Sequence, residues 1–301
     1  MPKVIVVGSI IMDLYLMVDR HPDAHETIIA KDFSKTPGGK GLNTAVAASK
    51  LGASTVFVGR VGEDAFGSEV KSFLSKYNIL SSINMSRNET TGVAFIQMAP
   101  HHLSKISVFY GSNMYFAKKD VEQLQIGEGD VIIGQLEIPH KVTRRLFELG
   151  REAGAKIILN LSPMMEYDKS LLELADMVIM NESELSYFCA KKNGTPTYMM
   201  TNIREGGNQD IVVTMGEKGA MALEGTRLLE VQGRRVNAID TTGAGDCFLA
   251  ALAVRISKGD GLETAIDYAN AAASVCVQRL GTGSAMPTEQ EVENIMKEGK
   301  A

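Results

Sequence analysis

A chain of 301 residues, 45% of them hydrophobic, can bury the core of one large α/β domain, and a net charge of −5 with scattered basic residues argues against a nucleic-acid surface. No apolar run reaches membrane-spanning length and Met1-Pro-Lys leads straight into an apolar segment, so no membrane partner and a cytoplasmic location are expected. The three cysteines, Cys189, Cys247 and Cys276, lie far apart in apolar surroundings and read as buried thiols with no metal or redox spacing.

Lys3 to Gly8 is a β-branched run closed by glycine, the pattern of a buried parallel strand. Asp13 is expected at the carboxyl end of that strand, where ligands gather in open α/β sheets, although a turn-capping aspartate would read the same. Leu14 to Val18 and Ile28 to Phe33 form one pair of short apolar segments, and Thr91 to Met98 and Lys105 to Tyr110 form another. Together they predict a small second sheet able to cover a site. His101 and His102, in the turn of the second pair, are expected to be solvated loop residues. Pro37-Gly-Gly-Lys-Gly-Leu-Asn-Thr44 lets backbone approach a ligand and opens a small-residue helix, but it lacks the spacing and the Lys-Ser/Thr ending of a P-loop. Thr55 to Gly59 is the next strand, followed by a helix to Tyr77 whose acidic start, Glu63-Asp64, suits the helix dipole.

The strand Asp130 to Gln135 runs into Leu136-Glu137-Ile138-Pro139, which places Glu137 at another carboxyl edge or simply before a proline-started helix. Strands at Ala155 to Asn160, Met177 to Met180 and Asp210 to Thr214 alternate with helices, which predicts a doubly wound, mostly parallel α/β sheet. Asn181-Glu-Ser-Glu184 spells a helix capping box and equally offers oxygen ligands to a hard cation. Thr214-Met-Gly-Glu-Lys-Gly219 is a strand end with a small-residue turn.

In Ile239-Asp-Thr-Thr-Gly-Ala-Gly-Asp-Cys-Phe-Leu-Ala250, Gly243, Ala244 and Gly245 precede Asp246 and an apolar helix. The N–H groups of residues 243 to 246 have no intrahelical partner there, and the helix dipole adds positive potential, so the turn collects an anion. A carboxylate beside an anion site makes sense where it handles a proton. That points to phosphoryl transfer to a hydroxyl with Asp246 as base, while a helix-capping Asp would give the same letters. Leu262 to Arg279 is a further Ala-rich helix in which Asn270 is a core hydrogen bonder or a ligand contact.

Gly38-Gly-Lys-Gly-Leu-Asn43 and, about two hundred residues further along the chain, Asp240-Thr-Thr-Gly-Ala-Gly-Asp246 resemble, in that order, the two signatures of the ribokinase-like (PfkB) carbohydrate kinase family. The resemblance spans the chain and implies one domain over 1–301, with lid strands near 14–36 and 91–111. It implies ATP-dependent phosphorylation of the primary hydroxyl of a small sugar, D-ribose in first place. Another sugar or a nucleoside is the alternative, and a non-catalytic sugar- or nucleotide-binding protein is the more distant one. Asp246 becomes the catalytic base, and Gly243, Ala244 and Gly245 with the Asp246 amide become the anion hole. Asp13, Gly39, Lys40, Asn43 and Glu137 would hold the sugar, and Gln135-Leu136-Glu137 resembles the ribokinase branch in particular. Asn181, Thr214, Gly216, Gly219 and Asn270 would hold the nucleotide, Asn181 and Glu184 would hold Mg²⁺ through water, and Asp240, Thr242, Arg279 and Gly281 would hold K⁺. Two positions depart from the pattern: Ile11 stands where the family has Asn, and Ala285 where it has Ser. The lid implies a homodimer, since an exposed sheet needs its face covered.

Overall fold

In the structure, a computed structural model, residues 2–100, 103–189, 194–204 and 207–298 are described. His101 and His102 lie outside the described residues. In chain order the elements are β1 (Lys3–Val7), β2 (Ile11–Met17), β3 (Asp32–Gly38), α1 (Lys40–Lys50), β4 (Ser54–Gly62), α2 (Ala65–Leu74), β5 (Ile79–Ser86), β6 (Gly92–Ala99) and β7 (Leu103–Phe109). They continue with β8 (Val131–Gly134), α3 (His140–Ala153), β9 (Lys156–Asn160), α4 (Ser170–Leu174), β10 (Met177–Asn181), α5 (Glu182–Phe188) and α6 (Pro196–Ile203). The last are β11 (Asp210–Thr214), β12 (Gly219–Glu224), β13 (Arg227–Gln232), α7 (Ala244–Ser257), α8 (Leu262–Cys276) and α9 (Glu289–Glu298).

β1 sits inside a nine-stranded sheet ordered β13-β12-β11-β10-β9-β8-β1-β4-β5, and only the β11–β12 and β12–β13 pairs are antiparallel. Its sequence explains the position. Val4 and Val6 enter the core beneath α1, α7 and α8, while Ile5 and Val7 enter the core beneath α3 to α6, so both faces must be apolar. The expected alternation of strands and helices is therefore borne out as an α/β fold with helices on both faces. No helix among the described residues is long and apolar enough to cross a membrane.

The second sheet has four strands in the order β3-β2-β6-β7. Two expectations shift here. The second lid segment is Asp32–Gly38, displaced from the apolar run that begins at Ile28, because β3 pairs with β2 residue for residue from Met17↔Asp32 to Ile11↔Gly38. Ile29 is left outside the ladder and 92% exposed. Asp13 lies within β2, not at the end of β1, because the chain turns at residues 8–10 and passes directly into the second sheet.

Candidate active site

The glycines of Pro37-Gly-Gly-Lys-Gly act first on backbone packing. Gly39 has φ +94°, and a Cβ on it would stand 2.8 Å from the Ile11 nitrogen. A Cβ on Gly41 would stand 2.5 Å from the carbonyl carbon of Gly8. The start of α1 is thus pressed against the turn between β1 and β2, where Leu42 N–H donates to the Ser9 carbonyl at 3.1 Å. Lys40 and Asn43 are carried into the interior on the first turn of the helix. Gly38 leaves room for Asp13, whose Oδ2 would be 2.1 Å from an added Cβ.

α7 begins beside it. Gly243 precedes the helix in the left-handed region, φ +79°, and an added Cβ would meet Met286 Cε at 3.2 Å. The Ala244 N–H donates to the Thr241 carbonyl at 3.2 Å, so the donors of this turn without a partner among the described residues are those of Gly243, Gly245 and Asp246. Nothing lies within 4 Å of a Cβ placed on Gly245, which faces open space. Asp246 makes no capping bond to its own helix. Its Oδ2 instead accepts from Asn43 Nδ2 at 2.9 Å, while Asn43 Oδ1 is buried with no partner among the described residues. An unpaired buried acceptor beside a carboxylate is a place for a ligand hydroxyl.

Electrostatics concentrate at this point. Burial raises the Asp246 carboxyl to about 6; Lys40 and the Asn43 bond pull it down, and Glu137 and Glu184 push it up. Asp13 is raised further, to about 7, by burial and then by Glu137 and Asp246. Burial disfavours the Lys40 ammonium, but Asp246, Glu137 and Glu184 outweigh it and leave Lys40 above its ordinary value. Glu137 accepts from the Ser9 hydroxyl, and the Thr282 hydroxyl donates to Asp13 Oδ2 at 3.5 Å. Several buried carboxylates around one lysine make a pocket rich in acceptors for the hydroxyls of a neutral polyol.

Four contributors were not singled out in the sequence. Ser9 and Thr282 steady the two carboxylates just named, and Asn113 pins the β1–β2 turn by accepting from Ile10 N–H at 2.9 Å and donating to the Ile10 carbonyl at 2.7 Å. Tyr110 follows β7, and burial and Glu137 raise its phenol to about 12 while Lys40 opposes them. None of these carries a local pattern, because each acts on a segment far away in the chain.

On the other side of the glycine turn lies a cleft of about 370 Å³ lined by Thr214, Gly216, Gly219, Asn270, Ala244 and Gly245, among others. The residues expected to hold a nucleotide therefore converge, apart from Asn181. Asn270 also serves the core, donating to the carbonyls of Val231 and Gln232 at 3.2 and 3.3 Å. Asn181 and Glu184 close a reciprocal capping box at 2.8 Å in each direction, and Glu184 also accepts from the Ser162 hydroxyl at 2.5 Å. Asp240 accepts from Thr242 N–H at 2.9 Å and Gly281 N–H at 3.0 Å, while the Arg279 side chain pairs with Glu291. Among the described residues no group of three or more His, Cys, Asp or Glu could chelate a metal unaided. A larger cavity, about 500 Å³, opens at the opposite end of the sheet by Lys156, Asp176 and Asp210, and holds none of this chemistry.

Reactants placed in the cleft and over Asp246 would meet across residues 243–246, with the free N–H donors between them. That division, on a doubly wound sheet with a separate small sheet over the acceptor side, defines a small-molecule kinase. The chain belongs to the pfkB family of carbohydrate kinases, whose profile matches residues 1–289. It is 31% identical over 301 residues to a ribokinase of Staphylococcus aureus, covering 97% of this chain and 99% of that one. It is also 30% identical over 293 residues to a deoxyribokinase of Salmonella typhi, covering 95% and 96% of the two chains. Arabidopsis thaliana ribokinase, solved with ribose and ATP, superposes with a TM-score of 0.88 at 30% identity, covering 98% of this chain and 99% of that one.

Proposed function

We propose that this carbohydrate kinase transfers the γ-phosphoryl group of ATP to the primary hydroxyl of D-ribose. The observation that carries this reading is Asp246, buried, hydrogen-bonded to Asn43 and set at the start of α7 beside three unengaged N–H groups. Asp13, Lys40, Asn43 and Glu137 bind the sugar hydroxyls and aim the primary one at Asp246. Asp246 accepts its proton as the new P–O bond forms. The N–H groups of Gly243, Gly245 and Asp246 neutralise charge on the phosphoryl group in flight, usually the largest catalytic contribution. Thr214, Gly216, Gly219 and Asn270 line the cleft that receives the nucleotide.

Mg²⁺ fits as an ion carried on the nucleotide phosphates, where it would add positive charge. The side-chain oxygens of Asn181 and Glu184 are engaged in the capping box, so they would reach it through water. The carbonyls of Asp240, Thr242, Arg279 and Gly281 would hold K⁺, with Ala285 unable to add a hydroxyl. Phe33, Phe95, Ile106 and Phe109 are each more than half exposed on the lid strands, which supports a homodimer joined through the lid. The test is ribose-dependent ADP release with Mg²⁺, compared between wild type and Asp246→Asn. The variant should lose at least 10²-fold in kcat. Turnover at the full rate without this carboxylate would remove it from the mechanism.

A further inference from the structure

Among the described residues the chain crosses between its two sheets at residues 8–10, 38–39, 87–91 and 110–111. These crossings converge on one side chain. Asn113, fully buried in the turn after β7, accepts from Ile10 N–H and donates through Nδ2 to the carbonyls of Ile10 and Tyr110, each at 2.7 Å. Gly92, the first residue of β6, lies against the same amide: a Cβ on it would stand 2.7 Å from Asn113 Nδ2 and 2.8 Å from the Tyr110 carbonyl oxygen. The remaining crossing packs on the residue that Asn113 holds, since a Cβ on Gly39 would stand 3.1 Å from Ile10 Cα. An amide nitrogen has two N–H groups, and both are spent here on protein carbonyls, so neither is left for a ligand. What Asn113 fixes is the joint between the sheets.

We propose that Asn113 is a positioning residue: it sets how the second sheet carries Asp13 relative to Asp246, and with that the placing of the acceptor hydroxyl. The inference rests on the sugar-kinase reading above. On one side of Ile10, the Ser9 hydroxyl donates to Glu137, and the Ser9 carbonyl accepts from Leu42 N–H at the start of α1, the helix whose Asn43 bonds Asp246. On the other side β2 begins at Ile11 and carries Asp13 two residues further on. Holding Ile10 by both of its backbone groups therefore holds the two halves of the acceptor site against each other. The nucleotide cleft is built from other elements, with Thr214 on β11, Gly219 on β12 and Asn270 on α8. A fault in the joint should thus reach the sugar and spare the nucleotide. Misplacing reacting groups by about 1 Å can cost on the order of 10²-fold in rate.

The test compares wild type with Asn113→Asp, measuring sugar phosphate formed from D-ribose and ATP with Mg²⁺ while each substrate is varied at saturating levels of the other. The carboxylate keeps the shape of the amide but sets an oxygen against two carbonyls and loses both donors. KM for ribose should rise by about tenfold or more and kcat should fall, while KM for ATP stays within about twofold. A merely structural role would reduce the amount of folded enzyme and lower kcat alone, because KM does not depend on how many molecules are folded. A KM for ribose changed by less than about threefold therefore overturns the proposal, and so does a rise matched by KM for ATP. Should that variant fail to fold, Asn113→Ser offers one donor for two carbonyls and is expected to show the same split, read against the same two limits. Wild type that phosphorylates no ribose removes the sugar-kinase reading and this inference with it. An active wild type whose variants show no split removes this inference alone.

Discussion

At the scale of single residues, Gly245 separates the demands of folding from those of ligand binding. No protein atom lies near the position of its missing Cβ, and it sits inside a helix, where Ala is favoured. Gly245→Ala should therefore stabilise the fold by about 0.5–1 kcal/mol, read by denaturant titration. The same methyl group would stand where a phosphoryl group must approach, so kcat/KM should fall at least tenfold. Asp13 shows the opposite tension. Its raised carboxyl binds a proton more tightly in the folded than in the unfolded chain, so ionising it weakens the fold; that cost begins above the ordinary value of 3.8 and is complete above about 7. Asp13→Asn should raise Tm, on the order of a few degrees, with the gain growing from pH 4 to pH 8, and should abolish activity. Asp246 was legible because its glycine turn is local. Thr282, Ser9 and Tyr110 were not, because what matters is which distant side chain each one meets.

At the scale of elements, the buried strands were readable from their β-branched runs, and both helix starts from their glycines. β5 was not. It lies at the edge of the sheet and is largely exposed, so its serines and asparagine never build an apolar run. The β12–β13 hairpin was passed over as well, and the true register of β3 comes from its partner and not from its own residues. Asp64 joins two elements at once. It caps α2 through Gly67 N–H at 2.8 Å and holds the entrance to β6 through Thr91 N–H and hydroxyl, each at 2.7 Å. Asp64→Ala should cost about 1–2 kcal/mol of stability as a lost cap. It should also raise KM for the sugar more than it lowers kcat, because it frees the lid strand and leaves the reacting groups in place. Steady-state kinetics beside a denaturation curve would separate the two effects.

For the molecule as a whole, the fold class followed from the alternation of strand and helix, but the strand order and the position of the lid did not. Composition cannot say that β1 runs straight on into the covering sheet. That path has a consequence through Asp240. Its carboxylate ties Thr242, in the turn beside the 370 Å³ cleft, to Gly281; the next residue, Thr282, lies 3.7 Å from where a Cβ on Gly243 would stand and donates to Asp13 in the second sheet. This path joins the two compartments, and through it the free energy of filling one should depend on whether the other is full. Sugar should tighten nucleotide binding, and nucleotide should tighten sugar binding by the same factor, since such coupling is reciprocal for equilibrium affinities. Calorimetric titration of a non-hydrolysable nucleotide with and without sugar, and the converse, would measure it. Thr282→Val, which cuts the chain between the loop and the lid, should bring that factor toward one. Equal and undiminished cooperativity in the variant would mean that the two ligands communicate by another route, or only by touching each other.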